Sequence, residues 1–256
     1  MPGHVIITGA SVGIGAALAR SLARAGYSVG LVARRQELLE ALTADLTRGG
    51  AKAAWALADV SDEGSMRAAF ESLEEALGPC EVMIANAGIL SFQRPETFDA
   101  EVAVNILRVN VEGAINAAGV ALPGMVARGR GQLVVISSSA ALRALPGWHA
   151  YAASKSAVSS FFRSLAFDLA DKGVSVLVVQ PGFVATDMTA NNRFPMPGTM
   201  QASDLAEGIV ARVQSGRGGV MTTPWFLGLA LGLSRLIPGF LFDRAARWFL
   251  RLGETR

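Results

Sequence analysis

Tyr151 and Lys155 stand four residues apart in the run Tyr151-Ala152-Ala153-Ser154-Lys155, so on a helix their side chains share a face. A free phenol has a pKa of about 10, and a neighbouring ammonium favours the phenolate. The pair predicts a phenol drawn toward physiological pH, able to give its proton to a carbonyl oxygen as a hydride arrives and to take it back in the reverse direction. A Tyr and a Lys at this spacing also form ordinary surface pairs, so other residues must carry the reading. Just upstream, Ser137, Ser138 and Ser139 close an apolar run. One of these hydroxyls could align a substrate oxygen; caps and turns are the plainer alternative. Asn110 falls in a long helical segment, where Asn is a poor interior residue unless its amide serves a helix irregularity or a buried water. Lys52, Lys155 and Lys172 are the only lysines among 23 basic residues. Base composition accounts for an Arg-rich chain, yet it leaves a Lys at this position conspicuous.

A second group of residues suits a dinucleotide. Thr8-Gly9-Ala10-Ser11-Val12-Gly13-Ile14-Gly15 joins an apolar run to a helical one. Gly9, Gly13 and Gly15 permit a tight bend, close approach of backbone to a pyrophosphate and close helix packing, while the amides of the turn, with Ser11 and Ile14, face the negative charge. The second strand ends in Ala33-Arg34-Arg35, where NAD-binding domains place an acid for the adenosine 2′-hydroxyl. Guanidinium forks suit a phosphate monoester, so Arg34, with Arg35, is expected to grip the 2′-phosphate of NADP(H) in preference to NAD(H); two solvated residues opening a helix are the alternative. Asp59-Val60 and Asn86-Ala87-Gly88 end the third and fourth strands. Asp59 could accept from an adenine amino group or cap the next helix, and Asn86 could serve as a simple turn residue.

These residues need a scaffold that gathers strand ends. Hydrophobic residues make up 51% of the 256 and charged residues 17%, which allows a sheet buried on both faces and excludes disorder. Short apolar runs near 5–8, 29–32, 51–56, 82–85, 132–137, 175–180 and 219–222 alternate with helical segments. That pattern predicts a single α/β domain over 1–256, a Rossmann-like doubly wound parallel sheet of about seven strands with helices on both faces. Its ligand crevice is expected at the strands' carboxyl ends, where strand order reverses. A net charge of +2 with scattered basic residues argues against nucleic acid. A lone Cys80 fits a small apolar filler in a reducing interior, and a strand beginning at His4 leaves no room for a signal peptide. We expect a cytoplasmic protein. His4 and His149 are the only histidines; neither has the neighbours for a metal site, none of which is expected. A hydrolase triad is likewise missing its nucleophile elbow, and His149 reads as a helix-start or pocket-edge residue.

Together these pieces resemble the short-chain dehydrogenase/reductase family across nearly the whole chain, through its Thr-Gly-x-x-x-Gly-x-Gly turn at Thr8 to Gly15, its Asn-Ala-Gly at Asn86 to Gly88 and its Tyr-x-x-x-Lys at Tyr151 to Lys155. The resemblance implies an NADP(H)-dependent oxidoreductase acting on CH-OH and C=O groups. It implies Asn110 as organiser of a water linked to Lys155, Ser138 as the catalytic serine, and Lys155 as holder of the nicotinamide ribose hydroxyls. It further implies Pro181, Gly182 and Thr186 as nicotinamide contacts, and a homodimer or homotetramer. A basic residue that some NADP-using relatives place before the second glycine is Val12 here.

The resemblance places the substrate loop at 183–200. Met188, Phe194, Met196 and Met200 mix there with Asn191, Asn192, Arg193, Pro195 and Pro197. Methionines mould around irregular apolar ligands and also cover cores, so a hydrophobic carbonyl or alcohol is the expected substrate. The extension at 225–256 is nearly all apolar to Phe242, interrupted by Ser234, Arg235, Pro238 and glycines, and continues with Arg244, Arg247, Trp248, Phe249, Leu250 and Arg251. It is borderline in length for a span, and a charge and a proline argue against one. Subunit contact or pocket cover is favoured; weak peripheral contact with a membrane, as in a long-chain keto-lipid reductase, is the second reading. A dinucleotide-binding sensor without turnover is the third.

Overall fold

Apolar residues that alternate between two buried faces turn the short runs into one parallel sheet. Its strands are β1 (His4–Thr8), β2 (Ser28–Ala33), β3 (Ala53–Leu57), β4 (Cys80–Ala85), β5 (Gly131–Ile136), β6 (Val174–Pro181) and β9 (Gly219–Thr223), in the order β3-β2-β1-β4-β5-β6-β9. Every pairing is parallel; the sequence predicts a reversal of strand order, and the structure places it between β1 and β4. The structure is a computed structural model that describes residues 3–143, 146–190, 196, 198–234, 236–241 and 244. Asn191, Asn192, Arg193, Phe194, Pro195 and Pro197 of the predicted substrate loop lie outside the described residues, as do Arg235, Phe242, Arg247, Trp248, Phe249, Leu250 and Arg251 of the tail.

Two helical layers cover the sheet. On one face, α3 (Glu63–Leu77), α5 (Gly113–Arg128) and α6 (His149–Asp168) bury Met66, Phe70, Ala117 and Phe162 against Ile6, Met83, Leu133 and Val176. On the other, α1 (Gly13–Arg24), α2 (Gln36–Arg48) and α8 (Ala202–Gln214) bury Leu18, Leu22, Leu39 and Ile209 against Val5, Ile7, Ile84 and Leu177. Neighbouring strand residues thus face opposite layers, which is what makes the strands read as continuous apolar runs. Cys80 is buried at the start of β4 with its thiol pushed up to about 12 by desolvation, consistent with a filler.

The structure refines the sequence-based boundaries in three places. Ala51 closes α2 by donating its amide to the Leu46 carbonyl at 3.1 Å, so β3 starts at Ala53. The segment after β6 forms β7 (Val184–Ala185), then α7 (Asp187–Ala190), and β7 pairs in parallel with β8 (Met200–Gln201). Strands of two residues carry no readable alternation, which is why the sequence does not announce them. The helical stretch containing Asn110 is α4 (Ala100–Leu107) and α5 joined by a π-helical turn at Arg108–Glu112. Among the described residues, no helix is long and apolar enough to cross a membrane.

The seat of α6 matters most for the site, because this helix carries Tyr151 and Lys155. Phe162, 1% exposed, anchors it to the sheet. Phe162→Ala should cost about 3–5 kcal/mol in urea unfolding; a loss below about 1 kcal/mol would show that this aromatic does not hold the helix in place.

Candidate active site

The carboxyl ends of β1 to β6 open into one cleft of about 420 Å³. Of the predicted cofactor residues, Gly9, Ser11, Gly13, Ile14, Arg34, Arg35, Asp59, Val60, Asn86, Ala87, Gly88, Tyr151, Lys155, Pro181, Gly182 and Thr186 all line it. Gly15 does not. A Cβ there would come within 2.3 Å of the Gly9 carbonyl oxygen and 2.7 Å of Asn86 Nδ2, so its missing side chain lets α1 close onto the turn. Gly9 and Gly13 have φ of 64° and 56°, the left-handed region that glycine enters without strain. Asn86 is more than a local turn residue. Its Nδ2 donates to the Thr8 carbonyl at 2.9 Å and the Gly9 carbonyl at 3.2 Å, while Thr8 Oγ1 accepts from the amides of Asn86 and Ala87. The ends of β1 and β4 are thereby clamped to each other at the point where strand order reverses. Thr8 was not singled out from sequence; only its place in the glycine turn pointed to it.

At the other end of the cleft, the three serines part company. Ser137 is turned into the protein, donating to the Lys155 carbonyl at 2.9 Å and lying 2.7 Å from Ser159 Oγ. Ser139 begins a short 3-10 turn, Ser139–Ala141. Ser138 caps that turn, accepting from the Ala140 amide at 3.1 Å, and hydrogen-bonds the Tyr151 phenol. The backbone amide takes one lone pair of this hydroxyl, and its proton remains available to an oxygen in the cleft. Trp148 and Phe183 pack edge-on beside Tyr151, with ring centroids 5.9 Å from Tyr151 to Trp148 and 6.2 Å from Trp148 to Phe183.

Lys155 is 4% exposed, and its ammonium donates to the Ile136 carbonyl at 2.8 Å. Burial lowers its pKa to about 8. Its Nζ lies 5.9 Å from the centroid of the Tyr151 ring. Here the structure corrects the expectation of a phenol drawn down by the ammonium. Burial pushes the Tyr151 phenol above its ordinary value, and the hydrogen bond with Ser138 is what opposes that rise. The physical reason is that the ammonium's proton is directed to a strand-end carbonyl, and desolvation acts on both groups.

Asn110 sits in the π-helical turn, 1% exposed and outside the cleft lining. Its Oδ1 accepts from the Ile89 amide at 2.8 Å, and its Nδ2 donates to the Ile89 carbonyl at 3.0 Å and to Ser154 Oγ at 2.9 Å. Ser154 in turn donates to the Tyr151 carbonyl at 2.7 Å. The amide therefore answers a helix irregularity, one of the two tasks the sequence suggests, and fastens the segment after β4 to α6. Ser154 was missed in the sequence, where a Ser beside a Lys carries no mark.

The adenosine end also differs in detail. Asp59 does not cap α3; Asp62 does, accepting from the Ser65 amide. Hydrogen bonds from Ser61, and then the Arg34 guanidinium 3.6 Å away, hold the Asp59 carboxyl below the usual carboxylate range. Arg35 reaches back across the cleft and donates to Ser11 Oγ at 2.9 Å. Asp187, Met188 and Thr189 line the wall near Thr186, although the sequence marked only Met188 among them. Met200 instead packs on the core cluster of α1 and α8. His149 is the exposed first residue of α6, edge-on to Phe98 at 5.7 Å.

Comparison with known proteins places this architecture. A family model described as short chain dehydrogenase matches residues 3–196. A protein of Myxococcus xanthus (strain DK1622) named as an uncharacterized oxidoreductase is 36% identical over 242 residues, 94% of this chain and 95% of that protein. Among solved structures, an alcohol dehydrogenase from the archaeon Thermococcus sibiricus, complexed with 5-hydroxy-NADP, superposes with a TM-score of 0.78 at 27% identity, covering 87% of this chain and 96% of the other. A short chain dehydrogenase/reductase from Burkholderia phymatum in complex with NAD shares the fold with a TM-score of 0.84 at 24% identity, covering 91% and 93%. In this fold the crevice at the strands' carboxyl ends, where strand order reverses, is the place for a dinucleotide. The chain belongs to the short-chain dehydrogenase family, and its chemistry is that of an NAD(P)-dependent oxidoreductase acting on carbonyl and alcohol groups.

Proposed function

We propose that the enzyme prefers NADP(H) and interconverts a hydrophobic ketone or aldehyde with its alcohol, Tyr151 being the proton donor and acceptor. The observation that carries this reading is the convergence of Ser138, Tyr151 and Lys155 on one cleft end, with the Ser138 hydroxyl held by the Ala140 amide and the Lys155 ammonium by the Ile136 carbonyl. The cleft fits a dinucleotide: at Gly88 a Cβ would intrude within 3.2 Å of Asn110 Oδ1 and 3.4 Å of Lys155 Nζ, and at Gly13 within 3.3 Å of Thr186 Cγ2. Gly9, Ser11, Gly13 and Ile14 would hold the pyrophosphate, Asp59, Val60 and Ala87 the adenosine, and Lys155, Pro181, Gly182 and Thr186 the nicotinamide end. When bound, the cofactor supplies or accepts the hydride.

The chain's own residues handle the oxygen. Ser138 Oγ, oriented by the Ala140 amide, donates to the substrate oxygen, and Tyr151 Oη delivers the proton in reduction or takes it in oxidation. A phenol raised by burial stays protonated at neutral pH, which suits a donor to a developing alkoxide. Lys155 supplies positive charge beside it, and Asn110 acts as a positioning residue through Ser154. NADP(H) preference is supported by the absence of a carboxylate at 33–35 and by the two guanidinium groups there. The Arg34–Asp59 contact is largely exposed, so it is worth little in water and leaves Arg34 free to take a phosphate.

Met188 in the cleft lining, with Trp148 and Phe183 packed beside Tyr151, supports a hydrophobic substrate, with 183–200 as its loop. Exposed Val104, Leu107, Phe161 and Phe167 on α4 and α6 support a homo-oligomer, and the buried lone thiol agrees with a cytoplasmic setting. A sensor without turnover would have no use for the aligned Ser138 and Tyr151.

Three measurements test this proposal. Tyr151→Phe should lower NADPH-dependent carbonyl reduction by about 10²–10⁴-fold while NADPH still binds; comparable turnover rejects Tyr151 as the acid. Arg34→Ala should lower the NADPH-to-NADH ratio of kcat/KM by about tenfold or more, the worth of a charged hydrogen bond; an unchanged ratio rejects the phosphate clamp. Lys155 has a folded pKa of about 8 against 10.5, so the cost of burying its charge is full below pH 8 and fades as pH rises toward 10.5. Lys155→Met should therefore be more stable than wild type at neutral pH by on the order of 3 kcal/mol, with the gap closing between about pH 8 and 10.5 and with turnover lost. A gap independent of pH in urea unfolding rejects the buried ammonium.

A further inference from the structure

We propose that Gln180 is a positioning residue for Lys155, holding α6 at a fixed height against the carboxyl ends of β5 and β6 through Ser159 and Ser137. Its place in the fold is costly. Val176 and Val178, which precede it on the same face of β6, belong to the apolar layer beneath α6, and Gln180 continues into that layer at 3% exposed. An amide buried there without partners would be destabilising where an apolar side chain of similar size would not be. Both ends of this amide are taken. Nε2 donates to Ser159 Oγ at 3.2 Å, and Oε1 accepts from Thr222 Oγ1 at 3.1 Å. Ser159 and Ser137, buried as well, lie 2.7 Å apart, and Ser137 donates to the Lys155 carbonyl at 2.9 Å.

The direction of every proton in this series follows from its last member. A carbonyl can only accept, so the Ser137 proton is spent on Lys155, and Ser137 must accept from Ser159. Ser159 then has no proton left and must accept from Gln180, which turns Nε2 toward α6 and Oε1 toward β9. An apolar residue at 180 would leave Ser159 without its donor and Thr222 without its acceptor. A buried network is worth most when each member is satisfied.

The anchor points decide what the series positions. Ser137 lies between Ile136, whose carbonyl takes the Lys155 ammonium, and Ser138, which hydrogen-bonds the Tyr151 phenol. Ser159 stands one turn beyond Lys155 on α6. Gln180 directly precedes Pro181 and Gly182, which line the cleft together with Lys155, whereas neither Gln180 nor Ser159 lines it. One side chain outside the cleft therefore joins the end of β5, the helix that bears the ammonium and the Pro181 wall. A misplacement of about 1 Å at a reacting group costs up to about 10²-fold in rate. The inference rests on the role in the reaction proposed above for Lys155.

Gln180→Met, of similar size and without donor or acceptor, should lower kcat of NADPH-dependent carbonyl reduction by about 10- to 100-fold. KM for the carbonyl and the Kd of NADPH should stay within about threefold of wild type, with NADPH bound at full stoichiometry, so that lost folded enzyme is not the cause. Ser159→Ala should act in the same direction and keeps the test open if Gln180→Met fails to fold. A second readout needs no turnover. Followed by NMR in protein with 15N-labelled lysine, the ammonium of Lys155, whose pKa burial lowers to about 8, should titrate higher in either variant, because a loosened helix admits water. A role in global stability alone would leave that midpoint unmoved, and an unmoved midpoint in both variants overturns the inference. Lys155→Met separates it from the reading on which it rests. Turnover lost in Lys155→Met but at wild-type kcat in Gln180→Met and Ser159→Ala rejects the positioning role alone; turnover retained in Lys155→Met rejects the proposed role of Lys155 and the positioning role with it.

Discussion

A buried ammonium hydrogen-bonded to the last carbonyl of β5 ties α6 to the sheet. Lys155 enters the interior at an energetic cost, since desolvation lowers its pKa to about 8, and its proton meets Ile136 at 2.8 Å. Once that contact is made, the register of α6 against β5 is set. Ser137 accordingly meets the Lys155 carbonyl, and Ser138 meets the phenol one turn earlier. A hydrophobic residue at 155 would pack more cheaply, and the proposed role of Lys155 in the reaction gives the charge there its reason.

The supports radiate from this point. Ser137 accepts from Ser159, which accepts from Gln180, whose carbonyl accepts from Thr222 at 3.1 Å. This chain of hydrogen bonds runs across β6 to the edge strand β9, against which the helix Trp225–Ser234 packs. On the other side, Asn110 occupies the π-helical turn and holds both the Ile89 backbone and Ser154. A π turn releases the usual helical hydrogen bonding locally, and the asparagine amide spends its capacity on neighbouring elements instead. At this end of the cleft Ser138 and Tyr151 both contribute to the lining.

At the adenosine end the constraint is closeness rather than charge. Asn86 reaches both Thr8 and Gly9, and Gly15 is so near the Gly9 carbonyl that a methyl group would displace it. The flat approach this creates serves any dinucleotide. In the proposed preference for NADP(H), Arg34 and Arg35 would tell a 2′-phosphate from a 2′-hydroxyl; they stand at the rim with Asp59 and Ser11 as their present partners.

Local signals in the chain determined the parallel sheet and the position of each motif at a strand end. Apolar runs of strand length, glycines that must take positive φ and a Tyr and Lys one turn apart act over a few residues, and so they can be read without a structure. What the tertiary structure alone decided are encounters between distant segments. Among them are which of three adjacent serines meets the phenol, that Asn110 bonds Ser154 across 44 residues, and that Asp59 pairs with Arg34 while Asp62 caps the helix. The pKa of Tyr151 belongs to the same group, because desolvation depends on everything packed around the ring. Sequence spacing measures neighbours along one helix; it holds no measure of burial or of through-space distance, and those set the chemistry of the site.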